Sequence, residues 1–196
     1  MHNLKIYCMC LDNDYLKAVK KHNYIPVGLK NKNFSNEWLT DNTLINISEK
    51  NPFYGEYTFH YWIWKNEINN LKNEWIGFCQ YRKYWSNTNE LKSIKSLDDF
   101  NKKILKEIPI KYEDYDSILG EPLYINQLKI TKFIKKNFLK IIKKPFLLFD
   151  KKRRNIRFHF DLMHGEGNLD KAISLLERED RSDFDDFVKK EVSFNP

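Results

Sequence analysis

Residues 4–11 read LKIYCMCL, an apolar run that begins almost at the N-terminus and is closed by the turn-forming Asp12, Asn13 and Asp14. A run that is apolar from its first residue is the pattern of a strand buried on both faces of a mainly parallel sheet. It predicts an α/β protein. Of its two cysteines, Cys8 and Cys10 are expected on opposite faces of that strand. With Cys79 the thiols number three, all in hydrophobic surroundings, and no CxxC or HxxxH spacing is present. That reads as reduced, buried cysteine, with neither a disulfide framework nor a metal site.

Downstream, a second short extended piece covers residues 24–29. Residues 30–49 follow, rich in Asn, Asp, Ser and Lys. This is loop, and loops over a sheet edge are where α/β proteins bind ligands. Asn51 and Pro52 make a helix start. From there Phe53, Tyr57, Tyr61, Trp64 and Ile68 recur at steps of four, four, three and four, which predicts one apolar face of a helix running to about residue 70. Residues 75–85, WIGFCQYRKYW, form a short apolar strand that ends abruptly at Gln80, Tyr81, Arg82 and Lys83. A helix over 97–108 and a strand over 115–125 follow. Ile130, Phe133, Ile134, Phe138 and Ile141 then mark an amphipathic basic helix over 128–142. Two more helices, 169–176 and 183–188, end the chain. There is no internal repeat, and the order of elements favours α/β.

The chain has 196 residues and a mass of 23.8 kDa, room for one domain over residues 1–196 or a tight pair of lobes. Hydrophobic residues make up 41% and aromatics 15%, which excludes a disordered or collagen-like chain. No apolar run approaches the ~20 residues that span a bilayer. The N-terminus lacks a signal-peptide layout, so a cytoplasmic protein is expected. The net charge of +7 is local: residues 128–154 hold eleven Lys or Arg against Asp150 alone, and the remainder carries 23 bases and 26 acids.

Two constellations stand out. Arg82 and Lys83 follow a strand, at the rim where an open α/β sheet takes its ligand. A guanidinium fork beside an ammonium suits a diphosphate, and an ordinary surface pair is the alternative. Glu56 and His60, four apart on a helix, could clasp each other. Tyr61, Trp62 and Trp64 read as core more readily than as a sugar-stacking platform.

The sequence ISEKNPFYGEYTFHYWIWKN followed by WIGFCQYRKYW resembles the paired signature NIS.KN..Y.ELT..YW.WKN and YIGLCHYRRYF of the bacterial family known as domain of unknown function 4422. Residues 115–125 resemble its YD.ILP.P.Y strand, and residues 160–176, with His164 and Asp170, its H...DL segment. That family is associated with capsular and other surface polysaccharide loci and is placed among GT-A-like glycosyltransferases. The resemblance implies a GT-A-like (Rossmann-like) nucleotide-sugar-binding sheet flanked by helices. It also implies transfer of a hexose or galactofuranose from a nucleotide sugar, a UDP-sugar being the expected donor, to a glycan or lipid-linked acceptor.

A GT-A enzyme usually holds a divalent metal with an Asp-x-Asp pair. Here the corresponding strand leads into Gln80-Tyr81-Arg82-Lys83, so no metal ligand is assigned. Arg82 and Lys83 are expected to act in place of the ion, and the transfer is expected to be metal-independent or only weakly metal-dependent, with no other cofactor. Tyr81, Asp41, Asn42, Asn46, Ser48 and Asn51 complete the expected donor site. Glu56 and His164 are the expected groups to orient or deprotonate the acceptor. Lys135, Lys136, Lys143, Lys144, Lys151, Lys152, Arg153 and Arg154 form the expected acceptor-side patch, suited to peripheral contact with the anionic inner face of a membrane.

The chain departs from the family pattern at Gln80 (His), Tyr57 (Leu) and Gly55 (Cys). Gln cannot transfer a proton near neutral pH. Relatives run on beyond Ser193-Phe194-Asn195-Pro196, so a truncated domain is expected. A noncatalytic glycan-locus protein is the second reading. A basic nucleic-acid-binding module is a distant third, and no nucleic-acid partner is expected, because aromatics do not interleave with the basic run.

Overall fold

A computed structural model describes residues 3–29, 33–71, 74–87, 94–124, 130–149, 155–190 and 192–194. The chain forms two compact units, Met1–Asp116 and Ser117–Pro196.

The first unit is built on β1 (Asn3–Cys10), α1 (Leu16–Lys21), β2 (Ile25–Gly28), β3 (Leu39–Thr40), α2 (Asn51–Tyr54), α3 (Tyr57–Asn66), β4 (Glu74–Gln80) and α4 (Leu97–Lys103). Its four strands lie in the order β3-β2-β1-β4 and every neighbouring pair is parallel. β1 is central, with Tyr7 opposite Ile25 on one side and Cys8 opposite Cys79 on the other. The run at residues 4–11 therefore reads correctly as a strand covered on both faces. Ile6, Cys8 and Cys10 pack with Val19 of α1, Tyr24 and Ile104. Tyr7 and Met9 pack with Val27 and with Phe59, Trp62 and Ile63 of α3. Cys8 and Cys10 thus share one face, contrary to the expectation above, because residues two apart on a strand point the same way. Cys10 Sγ donates to the Cys8 carbonyl at 3.6 Å.

The helix expected over 51–70 is broken. Gly55 has φ +56° and ψ −133°, a conformation open to glycine and strained for other residues, and it separates α2 from α3. The sheet also takes a different face from the expected one. Phe59, Trp62 and Ile63 are buried, whereas Phe53 is 89% exposed and Tyr57, Trp64 and Ile68 are exposed too. α3 is aromatic all round, so periodicity alone cannot choose a face. Trp62 is chosen with a partner for its indole, whose Nε1–H donates to the Thr43 carbonyl at 2.9 Å. α4 begins on a Ser96 cap, whose hydroxyl accepts from Asp99 N–H at 3.1 Å. It ends five residues earlier than expected, where Ile104 turns extended and enters the core.

The second unit contains β5 (Pro122–Tyr124), α5 (Ile130–Lys143), α6 (Ile156–His164), α7 (Asn168–Ser174), α8 (Arg178–Val188) and β6 (Val192–Phe194), with β5 and β6 antiparallel. The strand expected over 115–125 shrinks to β5 within the described residues. α6 carries no helix in the sequence reading; it starts on Asn155, whose Oδ1 accepts from Phe158 N–H at 2.8 Å. Leu169, Ile173 and Val188 form the core of this helical group, with Ile156, Phe160 and Phe187 around them. Arg157 of α6 binds Asp170 of α7 and reaches Asp185 of α8 at 2.8 Å, so one guanidinium links three helices. Among the described residues no helix is long and apolar enough to cross a membrane.

Candidate functional site

The chain leaves β1 toward β2 through α1 on one face of the sheet. It reaches β4, on the other side of β1, through α3 on the opposite face. Connections that diverge in this way leave a crevice at the carboxyl ends of β1 and β4, the switch point at which open α/β sheets hold their ligands.

Two short segments form its walls. After β1, Asp12 Oδ1 accepts from Asp14 N–H at 3.2 Å and starts a single 3-10 turn. Asn13 donates from Nδ2 to the Asn33 carbonyl at 2.9 Å and accepts Ser35 N–H at 3.3 Å, which fastens this segment to the one after β2. After β4, Tyr81 N–H donates to the Met9 carbonyl at 3.1 Å, extending the ladder by one step, and Lys83 N–H closes a tight turn onto the Gln80 carbonyl at 2.8 Å. The Tyr15 and Tyr81 rings meet at 4.3 Å. Arg82 lies against the Tyr81 ring, its Cζ 5.1 Å from the ring centre. Arg82 and Lys83 are exposed, and among the described residues Arg82 has no carboxylate partner.

Glu56 enters at the start of α3, which runs antiparallel to the strands and so begins at their carboxyl ends. Gln80 donates from Nε2 to Glu56 Oε1 at 2.6 Å. The expected clasp between Glu56 and His60 is replaced by this bond. The His60 ring lies 4.2 Å from Phe78 and edge-on to Tyr57 at 5.4 Å, with Nε2 buried and no hydrogen-bond partner among the described residues. Burial lowers its pKa, against the opposing pull of the Glu56 charge.

Most of the expected loop contacts to a donor are turned inward. Asp41 is 1% exposed, and Thr58 donates its hydroxyl to Asp41 Oδ2 at 2.5 Å. Asn51 donates from Nδ2 to the Gly55 carbonyl at 2.8 Å and to Thr58 Oγ1 at 3.0 Å. Burial raises the Asp41 pKa, with the Thr58 bond opposing it. Asn46 Oδ1 accepts from Ser48 N–H at 3.2 Å and from its hydroxyl at 3.0 Å, while Asn42 is exposed. These residues brace the connection from β3 to α3, which positions Glu56.

His164 belongs to the second unit. It is exposed at the end of α6, its ring 4.6 Å from that of Phe160 and its carbonyl accepting from Asn168 Nδ2 at 2.7 Å. Lys135, Lys143 and Lys144 are exposed and Lys136 lies within α5. Lys151, Lys152, Arg153 and Arg154 lie outside the described residues. Among the described residues no three His, Cys, Asp or Glu side chains gather to hold a metal.

In sequence, Asp12, Asn13 and Asp14 show turn chemistry only, and nothing marks Tyr15 as part of a site. What brings this segment beside Tyr81 is the strand order. The signal available was the clean apolar-to-polar edge after both strands.

The parallel strand order, with helices on both faces, defines a doubly wound α/β fold. The model of the family described as "Domain of unknown function (DUF4422)" matches residues 5–194, and the chain belongs to that family. No curated protein matches it. Among solved structures, the chain is similar to the apo structure of the WbbM bifunctional glycosyltransferase at 18% identity and a TM-score of 0.49. The match covers 100% of this chain and 33% of that one, so the chain spans about a third of that protein's length.

Proposed function

We propose that this protein transfers a sugar from a nucleotide-sugar donor, a UDP-sugar foremost, to a glycan or lipid-linked acceptor of a capsule or O-antigen type surface polysaccharide, at the cytoplasmic face of the membrane. The observation that carries this reading is Arg82, a guanidinium without a carboxylate partner among the described residues, braced on Tyr81 at the carboxyl end of β4 beside the end of β1. The family motifs around it support the same reading.

In the transfer, the bond from the anomeric carbon to the donor's phosphate oxygen breaks and a bond to the acceptor hydroxyl oxygen forms. The departing diphosphate gains charge in the transition state. Arg82, with its two-pronged donors, and Lys83 neutralise that charge, in place of a divalent ion. The acceptor proton needs a base at the rim, and Glu56 is the carboxylate held there. Asp41, Asn46, Ser48 and Asn51 act as positioning residues. A noncatalytic binding protein is the second reading, favoured by one contact: Gln80 occupies the Glu56 carboxylate where family members carry a His.

The test is thermal stabilisation of the protein by a panel of UDP-, GDP-, CMP- and TDP-sugars, with chelator and with manganese, on wild type and Arg82→Ala. One nucleotide class is expected to raise the melting temperature in chelator, and Arg82→Ala to lose that rise. Stabilisation that appears only with manganese contradicts the metal-free site.

A further inference from the structure

The second unit displays an apolar surface that its own packing leaves uncovered. In α5, Asn137 is only 5% exposed while its neighbours Phe138 and Leu139, and Ile142 one turn on, are exposed. Ile141 faces inward as an amphipathic helix requires, but three further large apolar side chains stand outward among the exposed lysines of the same stretch. The helix is interrupted at Asn137, with φ −120° and ψ 19°, and the 3-10 turn Pro145–Leu148 follows it after Lys144. Around that turn Phe146 is 83% and Phe149 81% exposed.

The segment is strongly cationic in sequence. No Asp or Glu occurs between Glu121 and Asp150, and Lys135, Lys143 and Lys144 are exposed. Aromatic and aliphatic side chains standing out from a helix, framed by lysines with long apolar stems, suit the boundary between lipid headgroups and acyl chains. A protein groove would ask for mixed hydrogen bonding and shape. The excess of lysine along this segment complements the uniform charge of an anionic leaflet. α5 is 14 residues long, short of the ~20 needed to span the hydrocarbon core, so any lipid contact it makes is interfacial rather than spanning.

We propose that α5 and the turn after it seat the protein on an anionic lipid surface, with Phe138, Leu139, Ile142, Phe146 and Phe149 inserted beneath headgroups that Lys135, Lys143 and Lys144 engage. This goes beyond charge attraction alone and is independent of the transferase reading, since a protein that binds no nucleotide sugar still carries the surface.

Cosedimentation of the full chain with vesicles tests it, using phosphatidylcholine alone against an equal mixture with phosphatidylglycerol. Wild type is expected to bind the mixed vesicles and not the neutral ones. Phe146→Ser with Phe149→Ser lowers the partition coefficient about tenfold or more, and Phe146→Leu with Phe149→Leu retains it. Lys143→Gln with Lys144→Gln weakens binding most at low salt. Circular dichroism melts confirm that each variant is folded. As a second readout, Phe146→Trp adds fluorescence that brominated phosphatidylglycerol quenches beyond the wild-type level. Failure of wild type to bind the mixed vesicles overturns the proposal. So does unchanged binding by the folded Phe-to-Ser variant, or no added quenching in Phe146→Trp.

Discussion

His22 and His60 are both set among aromatic rings. His22 is buried edge-on to Tyr84 at 5.2 Å, with Tyr24 and Phe100 farther out. Burial lowers the pKa of each; the charges of Lys106 and Lys21 add to the effect at His22, and Glu56 opposes it at His60. The unfolded chain therefore takes up protons, below about pH 6.5, that the folded chain refuses. Their contribution to stability is complete above that pH and is lost as pH falls through the lowered folded values. The urea midpoint is expected to fall between about pH 7 and pH 5, and to fall less in His22→Phe, which keeps the ring and removes the proton site. An identical fall in the variant would contradict the burial argument. The place of Arg82 just past the carboxyl end of β4, by contrast, was readable from sequence, because the apolar run stops at Cys79 and charge follows.

At the level of elements, the connection from β3 to α3 is the piece that aims Glu56 at Gln80. It turns on Gly55, which stands where the family motif usually carries Cys. Its φ of +56° and ψ of −133° are open to glycine, and a Cβ there meets no atom within 4 Å. Strain, not crowding, governs the position. Gly55→Ala is expected to cost about 1–3 kcal/mol in urea unfolding, and an unchanged midpoint would show that the break relaxes without strain. The sequence announced β1 and β4 through largely apolar runs, β2 through a short extended piece, and α5 through its period. It hid the break at Gly55, because one glycine in an aromatic helix is a weak signal. It also hid which aromatic face of α3 is buried, since the partner that selects Trp62, the Thr43 carbonyl, lies 19 residues away.

On the scale of the whole molecule, the proposed donor site rests on an order of strands that no single segment encodes. Only when β4 lies beside β1, on the side away from β2, do Leu11 to Tyr15 and Gln80 to Lys83 face a common crevice. The α/β class was readable from residues 4–11; the buried bracing role of Asp41 and Asn51 was not, because the same polar residues serve a ligand loop or an internal network equally well. The central claim is that the donor's diphosphate sits at this switch point. Hydrogen–deuterium exchange with and without the stabilising nucleotide sugar tests it most directly. The account predicts slowed exchange in the peptides covering residues 11–15 and 80–83, lost in Arg82→Ala. Slowed exchange confined to other segments, with these two unchanged at saturating ligand, would contradict it.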